Sequence, residues 1–568
     1  MRSRLALAFA AALCCAAQEP ARWSLPESVR PLRHQVQLTI DPAQSEFHGR
    51  IAIDVELLQR TREVRLNSLG LVVHQARWIS AGHSSVLVWH AAPNEQIAFA
   101  LPASEGPGRA RIEIEYSGTI SSSLTQGPYR RKQSGRWYVF TTFTPIDARR
   151  AFPCFDEPGI KAAWQLTLLV PDKLVAASNT PILEEQRESA NWKMVRFAET
   201  APLPAEVIAF TVGPYDVAEG LAAGEKMIPV CVLAPHGHAA EAKAAAAATD
   251  EVLRRVEAYM GTPYPWAKLD FVALPAGTFG AVENPGLITF RGSILMGSAA
   301  NREWLREMRA VMAHELVHQW FGNLVTQAAW DDVYLSEGFA TWLGKKTSDA
   351  DQPPDHLGLS LVEGRNASMK ADEDSRARPV RLDLRSRRQL ADVYNGVVYQ
   401  KAASVLRMLE VYLGQEPMRR ATRRYLKDHA GKTATTGDLV QAIQEETGQD
   451  TGPILNAFLN RVGVPIVTLR LDCTSAAKPS IALRQSSQQA GASAALWPVP
   501  VCVRTASGQS CTLLETEHGT LALKDPACPA WIVPNAAGAG YYRTRVEGPG
   551  LDKAQLNSAE RAAWNADQ

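Results

Sequence analysis

Two histidines with a glutamate between them have a spacing that suits metal chemistry. The chain contains His314, Glu315 and His318 in an H-E-x-x-H pattern. On an α-helix, residues four apart project only about 40° from each other around the axis, so both imidazoles can bind one ion. Glu315 is rotated by about 100° from His314 and can instead take a proton from a water at that ion. The pattern therefore predicts a zinc hydrolase with one Zn²⁺ per chain.

A catalytic zinc site needs a third protein ligand and an open position. Glu337 is the candidate, because it follows His318 at a distance that lets a second helix return antiparallel to the first. Apolar residues repeat at helical spacing around the histidines, so one side of the first helix is expected to be buried. The simpler alternatives are a chance H-E-x-x-H match on a surface helix and a solvated carboxylate at Glu337.

The composition is that of an ordinary globular protein. The 568 residues include 46% hydrophobic and 21% charged residues, and the formal net charge is +1. No long block of one sign occurs, so nothing predicts nucleic-acid binding or electrostatic attraction to a membrane. The length predicts several domains.

The first residues have the pattern of a cleavable signal peptide. Arg2 and Arg4 precede an apolar run at residues 5–13, and small residues stand before Gln18. We therefore expect residues 1–17 to be removed and the protein to be exported, to the periplasm or the extracellular space. An uncleaved N-terminal anchor and a lipidated Cys14 or Cys15 remain alternatives. No other segment is long and apolar enough to cross a membrane, so no transmembrane segment is expected in the mature chain.

Cysteines cluster near the C-terminus of the sequence. Export implies an oxidising compartment, where such a cluster is expected to form one or two disulfides. Separate buried thiols are nearly as compatible with the sequence, and the connectivity cannot be deduced from it. The four cysteines are Cys473, Cys502, Cys511 and Cys528.

Hydrophobic periodicity divides the rest of the chain and predicts a multidomain α+β protein. Apolar residues alternate at 34–40, 50–57 and 111–116, which predicts an antiparallel sheet or sandwich domain over residues 18–218. Residues 219–463 are mixed and then mostly helical, with the metal site where the two parts meet. Short strands return over residues 464–547, and a helix begins in the tail at 548–568.

Helices of the middle region are expected at 238–259, from about Glu303 onward, and at 391–414, 415–430 and 436–447. Strands are expected at 269–274 and 287–290.

Several separate motifs resemble those of the M1 family of zinc aminopeptidases, the gluzincins related to aminopeptidase N. The histidine pair and Glu337 match the family's metal motif, including the flanking residues 320–323 and 337–340. Residues 147–158 are similar to its D-A-R-R-x-F-P-C-F-D-E-P signature, and residues 399–402 resemble the segment with its catalytic tyrosine. The family's G-x-M-E-N motif is matched by Gly280, Ala281, Val282, Glu283 and Asn284, with valine in place of methionine.

This resemblance implies a fold. We expect a saddle-like N-terminal β domain, a thermolysin-like catalytic domain and a C-terminal β-sandwich. Many family members continue into a large helical lid domain, which is expected to be absent or truncated in this sequence.

The resemblance also implies residue roles in the release of N-terminal residues from peptides with a free N-terminus. Glu315 would be the base and Tyr399 the donor to the developing oxyanion. Glu283 would bind the substrate ammonium group, within the substrate-binding loop formed by residues 280–284. Thr144 occupies the position where the family commonly has a second amine contact, a glutamine. Tyr394 lies close to Tyr399 in sequence and is a candidate to assist it.

Two other interpretations of the sequence remain open. The epoxide-hydrolase branch of the family shares this zinc site, and a non-catalytic relative would use the fold to bind peptides. The sequence does not predict the oligomeric state.

Overall fold

The protein is described by a computed structural model. It describes residues 24–274, 280–349, 353, 357–384, 386–390, 393–474, 479–487 and 496–568. The predicted signal peptide at residues 1–17 lies outside the described residues.

The N-terminal region consists of β-strands, as their alternating sequence predicts. The strands are β1 (Val29–Thr39), β2 (Glu46–Leu57), β3 (Thr61–Asn67), β4 (Val72–Ser80), β5 (His83–Val86), β6 (Val88–Ala92), β7 (Gln96–Glu105), β8 (Gly108–Thr119), β9 (Gly127–Gln133), β10 (Arg136–Thr142), β11 (Ala163–Pro171), β12 (Val175–Ser178), β13 (Ile182–Arg187), β14 (Trp192–Phe197) and β15 (Phe210–Gly213).

These strands form three sheets with the orders β13-β14-β11-β1-β2-β8-β4-β5, β12-β15-β10-β9 and β3-β7-β6. Buried and exposed residues alternate along β2, as period-two patterning requires. The prediction of an antiparallel sheet is wrong at one place, because β1 pairs with β11 in parallel. The long connection between them, which includes strands of all three sheets, is what permits a parallel pair.

A five-stranded sheet forms the first layer of the middle region. It contains β16 (Tyr215–Glu219), β17 (Val230–Pro235), β18 (Leu269–Leu274), β19 (Ala281–Val282) and β20 (Leu287–Arg291), in the order β16-β17-β18-β20-β19. Helix α1 (Ala239–Met260) connects the parallel strands β17 and β18. Because β16 pairs with β17, the boundary predicted after residue 218 falls within a strand of this sheet.

Helices form the other layer of the middle region. They are α2 (Gly292–Leu295), α3 (Arg302–Val317), α4 (Tyr334–Ser348), α5 (Leu359–Asp372), α6 (Arg387–Leu390), α7 (Gly396–Leu413), α8 (Gln415–His429), α9 (Thr436–Thr447) and α10 (Gly452–Asn460), with the short parallel pair β21 (Thr326–Gln327) and β22 (Thr433–Ala434). Helix α7 starts later than predicted, because the Asn395 side chain accepts from the backbone of Val397 and caps the helix there. Residues 391 and 392 lie outside the described residues.

The C-terminal region has a sheet of order β27-β24-β23-β28 and a separate hairpin, β25-β26. Its elements are β23 (Pro465–Asp472), β24 (Ser480–Ser487), β25 (Val499–Thr505), β26 (Gly508–Leu514), β27 (His518–Ala522), β28 (Arg543–Glu547) and α11 (Ser558–Asp567). Of the alternatives left open by the sequence, the structure has two disulfides, Cys473–Cys528 and Cys502–Cys511.

The tail predicted at residues 548–568 docks back onto the middle region. Helix α11 packs against α5, and Asp567 accepts a buried hydrogen bond of 2.9 Å from the Arg365 guanidinium. The apolar cores of the middle and C-terminal regions are continuous, as in the contact between Phe458 and Trp497. Among the helices within the described ranges, none combines the length and apolarity needed to cross a bilayer.

Candidate active site

Helices α3 and α4 place the predicted metal ligands. Helix α3 is started by the side chain of Asn301, which accepts from the backbone N–H of Trp304 at 3.1 Å. His314 lies in its last turn, and His318 follows directly after its last residue. Helix α4 is buried on nearly all sides, as its mostly apolar sequence requires. It passes close to α3 at Gly344, where an added Cβ would lie 2.9 Å from Cα of His314.

The three predicted ligand atoms, from His314, His318 and Glu337, surround one point, which is called the metal point below. Nε2 of His314 lies 3.1 Å from Nε2 of His318. Oε2 of Glu337 lies 3.5 Å from the first nitrogen and 3.3 Å from the second. Ligands about 2 Å from a tetrahedral zinc ion are about 3.3 Å apart, so these residues fit the metal in composition and in spacing.

Neighbouring groups orient the ligands. Nδ1 of His318 lies 3.2 Å from the carbonyl oxygen of Phe321 and 2.9 Å from Oγ of Ser336. A hydrogen on Nδ1 leaves the lone pair of Nε2 free for a metal. Oε1 of Glu337, the oxygen not near the histidines, accepts a hydrogen bond of 3.1 Å from the Tyr399 hydroxyl.

Charge at the site favours a cation. Burial alone would lower the pKa of His318, but nearby carboxylates, led by Glu283 and Glu337, outweigh burial and raise it to about 10. Burial would raise the pKa of Glu337, but His318 and His314 outweigh it and hold that pKa at about 2. The same carboxylates that attract a proton to His318 would attract a divalent cation to the centre of the triad.

Glu315 belongs to a second, looser group of candidate ligands. Its carboxylate, that of Glu283 and a nitrogen of His318 lie within 4.8 Å of one another. This group has one imidazole, whereas a catalytic zinc commonly has two with one carboxylate, as in the triad with Glu337. Burial raises the pKa of Glu315 well above its usual value, which makes it a stronger proton acceptor. Glu315 therefore lies beside the metal point without being one of its ligands, where it can act as a base.

The loop carrying Glu283 is fixed by residues that follow helix α3. The buried side-chain amides of Gln319 and Asn323 donate to the carbonyl oxygen of Glu283 at 2.9 and 2.8 Å. Gly286 has a φ of +70°, and a Cβ there would lie 2.1 Å from the backbone oxygen of Asn179. Glycine is therefore required where this loop passes the N-terminal region.

Two cavities meet at the metal point. The first, of about 450 Å³, is lined by Glu283 and by Thr144, Ala281, Val282, Tyr394 and Tyr399. The second, of about 380 Å³, is lined by Glu283 and by Gly280, Glu315, Thr341, Lys345 and Gln400. An extended ligand that crosses the metal point therefore contacts Glu283 from either side.

Family models match most of this framework. Residues 30–206 match the Peptidase M1 N-terminal domain, and residues 244–458 match the Peptidase family M1 domain. The chain belongs to peptidase family M1. Peptidases of this family depend on zinc, in agreement with the composition of the triad.

Curated relatives of this M1 chain are named as aminopeptidases. Aminopeptidase M1 of Arabidopsis thaliana is 30% identical over 92% of the chain and 62% of its own length. Aminopeptidase M1-D of Oryza sativa subsp. japonica is 32% identical over 79% of the chain and 51% of its own length. "Aminopeptidase 2, mitochondrial" of Saccharomyces cerevisiae is 28% identical over 92% of the chain and 56% of its own length. The chain thus spans less than two thirds of the length of these relatives.

The structure brings most of the predicted site residues of the M1 chain together. Tyr394 packs edge-on against Trp330 in the wall of the first cavity, with ring centroids 6.3 Å apart. The Thr144 hydroxyl donates to the carbonyl oxygen of Glu206 at 3.3 Å. Asn284 is buried and lines neither cavity, so its predicted place in the substrate-binding loop stays a prediction.

Several residues of the site were missed by reasoning from the sequence. Ser336 stands next to Glu337, and Gln319 stands four residues after Glu315, so helical spacing could have suggested Gln319. Lys345 follows Glu337 at twice that spacing and could have been found in the same way. Gln400 has no such signal, because its place depends on how α7 packs.

Proposed function

We propose that this M1 protein is an aminopeptidase that hydrolyses the N-terminal residue from peptides with a free N-terminus. The observation that carries the proposal is the place of Glu283. Its carboxylate lies beside the metal triad, is half-buried, and is not needed as a ligand because His314, His318 and Glu337 complete the set. An additional anion there suits a substrate ammonium group, which forms strong charge-assisted hydrogen bonds with carboxylates.

The residues around the metal point have distinct tasks in this proposal. A zinc ion bound to the triad would supply a Lewis acid for the attacking water and the scissile carbonyl group. Glu315 accepts a proton from the water and delivers it to the leaving nitrogen. Glu283 fixes the ammonium group, so that only the first peptide bond reaches Glu315.

Tyr399 is the proposed donor to the oxyanion that develops on the scissile carbonyl oxygen. Its hydroxyl lies at the metal point but donates to Oε1 of Glu337 in this structure. Burial and the carboxylates of Glu337 and Glu283 raise the pKa of Tyr399, so the phenol keeps its proton and remains a donor. A substrate oxygen that gains negative charge competes with Glu337 for this hydrogen bond.

We propose three domains: a saddle-like β domain that ends before β16 rather than at residue 218, a thermolysin-like catalytic domain from β16 to residue 463 and a β-sandwich over 464–547. The separate apolar core of the N-terminal sheets supports the first. A sheet flanked by the helices that hold the metal ligands supports the second. The sheet and hairpin of the C-terminal region support the third.

We propose that the protein is exported, with residues 1–17 as its signal peptide. The two disulfides of the C-terminal region support an oxidising compartment. N-terminal sequencing of the protein from the medium or periplasm of an expressing culture would check this. A chain found only inside the cell with residues 1–17 attached would contradict it.

A panel of amino-acid p-nitroanilides tests the activity. We expect zinc-dependent release of nitroaniline that chelation removes and added zinc restores. N-acetylated versions of the same substrates should be cleaved far more slowly, because they lack the ammonium group. Absence of cleavage across a broad panel would favour a non-catalytic peptide-binding protein, or an epoxide hydrolase if an epoxide substrate is turned over.

The role of Glu283 is tested by the variant Glu283→Gln, with Glu307→Gln as the matched change at an exposed carboxylate on α3. Glu283→Gln should retain zinc and raise KM for free-amine substrates, while Glu307→Gln should behave as the wild type. Full activity of Glu283→Gln would remove the observation on which the proposal rests.

A further inference from the structure

Helix α4 extends the wall of the active site beyond the metal ligand. Glu337, Thr341 and Lys345 follow one another at intervals of four residues, so they lie on one face of the helix. Thr341 and Lys345 line the second cavity together with Glu315. Neither Thr341 nor Lys345 has a role in the aminopeptidase chemistry proposed above.

Lys345 forms no ion pair among the described residues, and the carboxylates of Asp349 and Glu363 act on it only from beyond ion-pair distance. Its ammonium group donates to the carbonyl oxygen of Ser360 at 3.0 Å and to Oε1 of Gln400 at 2.9 Å, both neutral acceptors. Within the described part of the chain, no carboxylate lies at ion-pair distance from it. The adjacent Lys346, in contrast, forms an ion pair with Glu410. An ammonium group has three N–H donors, so one donor of Lys345 remains.

Two further donors flank Lys345 in the same cavity. Thr341 is 4% exposed, and its hydroxyl has no hydrogen-bond partner among the described residues. Because Oε1 of Gln400 accepts from Lys345, its amide N–H groups are available as donors. A hydroxyl, an ammonium and an amide N–H group on one wall have the chemistry of a carboxylate site.

The second cavity is the leaving side of the proposed reaction. Glu315 must deliver its proton to the leaving nitrogen, so the leaving peptide lies on the side that Glu315 faces. Glu315 lines the second cavity and does not line the first. We propose, on the basis of the proposed aminopeptidase function, that Lys345 with Thr341 and Gln400 binds a carboxylate of the leaving peptide.

The length of helix between Glu337 and Lys345 indicates which carboxylate is bound. Eight residues separate their Cα atoms by about 12 Å along the axis. The Lys345 side chain leans back toward the N-terminus of the helix, which brings its ammonium group nearer the metal point. Two to three extended residues span about 7 to 11 Å. The free C-terminal carboxylate of a leaving di- or tripeptide reaches this distance, and so does an acidic side chain near the scissile bond.

The test compares peptide acids with their C-terminal amides. Full-length wild type, Lys345→Met and Lys345→Gln are assayed with tri- and tetrapeptides that differ only in that group. The matched control is Lys370→Met, which removes the same charge at an exposed position on α5. We expect kcat/KM of the wild type and of Lys370→Met to be about tenfold higher for the acids, as expected for one charge-assisted hydrogen bond.

In both Lys345 variants, the ratio of kcat/KM for the acid to kcat/KM for the amide should fall toward one. If Lys345 only supports Ser360 and Gln400, its variants will slow acids and amides equally and keep the ratio, which would overturn the inference. A wild-type ratio near one would overturn it as well if the wild type also shows no preference for glutamate over glutamine after the scissile bond. Two peptide amides that carry glutamate or glutamine after the scissile bond identify the source: a preference for glutamate that Lys345→Met removes assigns the site to a side-chain carboxylate.

A binding measurement separates this inference from the proposed function. Calorimetry with Glu315→Gln and with Glu315→Gln/Lys345→Met compares the dissociation constants of a tripeptide acid and its amide without turnover. Tighter binding of the acid, lost in the double variant, supports the carboxylate site even if no substrate is cleaved. Equal binding of acid and amide, with no preference for glutamate over glutamine and with cleavage of p-nitroanilides, contradicts the carboxylate site and leaves the aminopeptidase intact.

Discussion

The hydroxyl of Tyr399 donates a 3.1 Å hydrogen bond to Oε1 of Glu337, while Oε2 of the same carboxylate faces the two histidines. One carboxylate therefore serves as a metal ligand through one oxygen and as the resting partner of the tyrosine through the other. This arrangement keeps the phenol at the metal point before a substrate arrives. It also separates the task of holding the metal from the task of stabilising the oxyanion.

Tyr399→Phe tests that separation. We expect the variant to retain one zinc per chain by metal analysis, because the histidines and Oε2 of Glu337 are untouched. Its kcat should fall about 100- to 1,000-fold with little change in KM, since an oxyanion donor acts mainly in the transition state. A variant that loses its zinc, or keeps its kcat, would show that the tyrosine supports the ligand instead.

Glu315→Gln distinguishes the two overlapping groups of candidate ligands. Glutamine keeps the size of the side chain and cannot accept a proton, so kcat should fall about 100- to 10,000-fold. Zinc content should stay at the wild-type level, because the triad with Glu337 does not use Glu315. Loss of zinc with loss of activity would place the metal instead in the group formed by Glu283, Glu315 and His318.

Asn323→Ala tests whether the Glu283 loop is positioned from the region after α3. The substitution removes a 2.8 Å hydrogen bond to the carbonyl oxygen of Glu283, and Gln319 keeps the other. We expect KM for free-amine substrates to rise about fivefold, a cost near 1 kcal/mol for one hydrogen bond, with zinc retained. In a Glu283→Gln background the same change should have little further effect on KM, because the residues act as one unit. Additive effects would contradict a positioning role.

The metal triad could be predicted because its geometry is local. His314 and His318 lie within one helical turn, and Glu337 lies on the next helix, so helical periodicity fixes most of their arrangement. The place of Lys345 relative to Glu337 follows from the same rule. The strands of the N-terminal region could likewise be predicted from alternation, which depends only on which side chains face the core.

Features that depend on distant packing could not be predicted. The parallel pairing of β1 with β11 depends on the route of a long connection that has no periodic signal. The return of α11 onto α5 depends on a pair, Arg365 and Asp567, that are 202 residues apart in sequence. Asn284 lies in a matching motif and is buried, and a motif does not specify how deeply each of its side chains is buried.

His34 gives the N-terminal region a dependence on pH. Its side chain is 1% exposed and stacks on Trp164 with ring centroids 3.8 Å apart. Burial lowers its pKa from 6.5 to about 3, so the folded protein keeps the ring neutral while the unfolded chain takes up a proton below about pH 6.5. The unfolded state then binds more protons than the folded state, and the free energy of unfolding falls as the pH falls from about 6.5 toward 3.

His34→Phe should remove this dependence, because phenylalanine can stack on Trp164 and does not titrate. Each pH unit below about 6.5 costs the wild type about 1.4 kcal/mol through this group. Between pH 7 and pH 5, the variant should therefore lose about 2 kcal/mol less than the wild type, measured by denaturant unfolding followed through tryptophan fluorescence. The same substitution at the exposed His90 should leave the wild-type dependence in place. If the wild type and His34→Phe lose equal free energy of unfolding between pH 7 and pH 5, groups other than His34 cause the acid sensitivity.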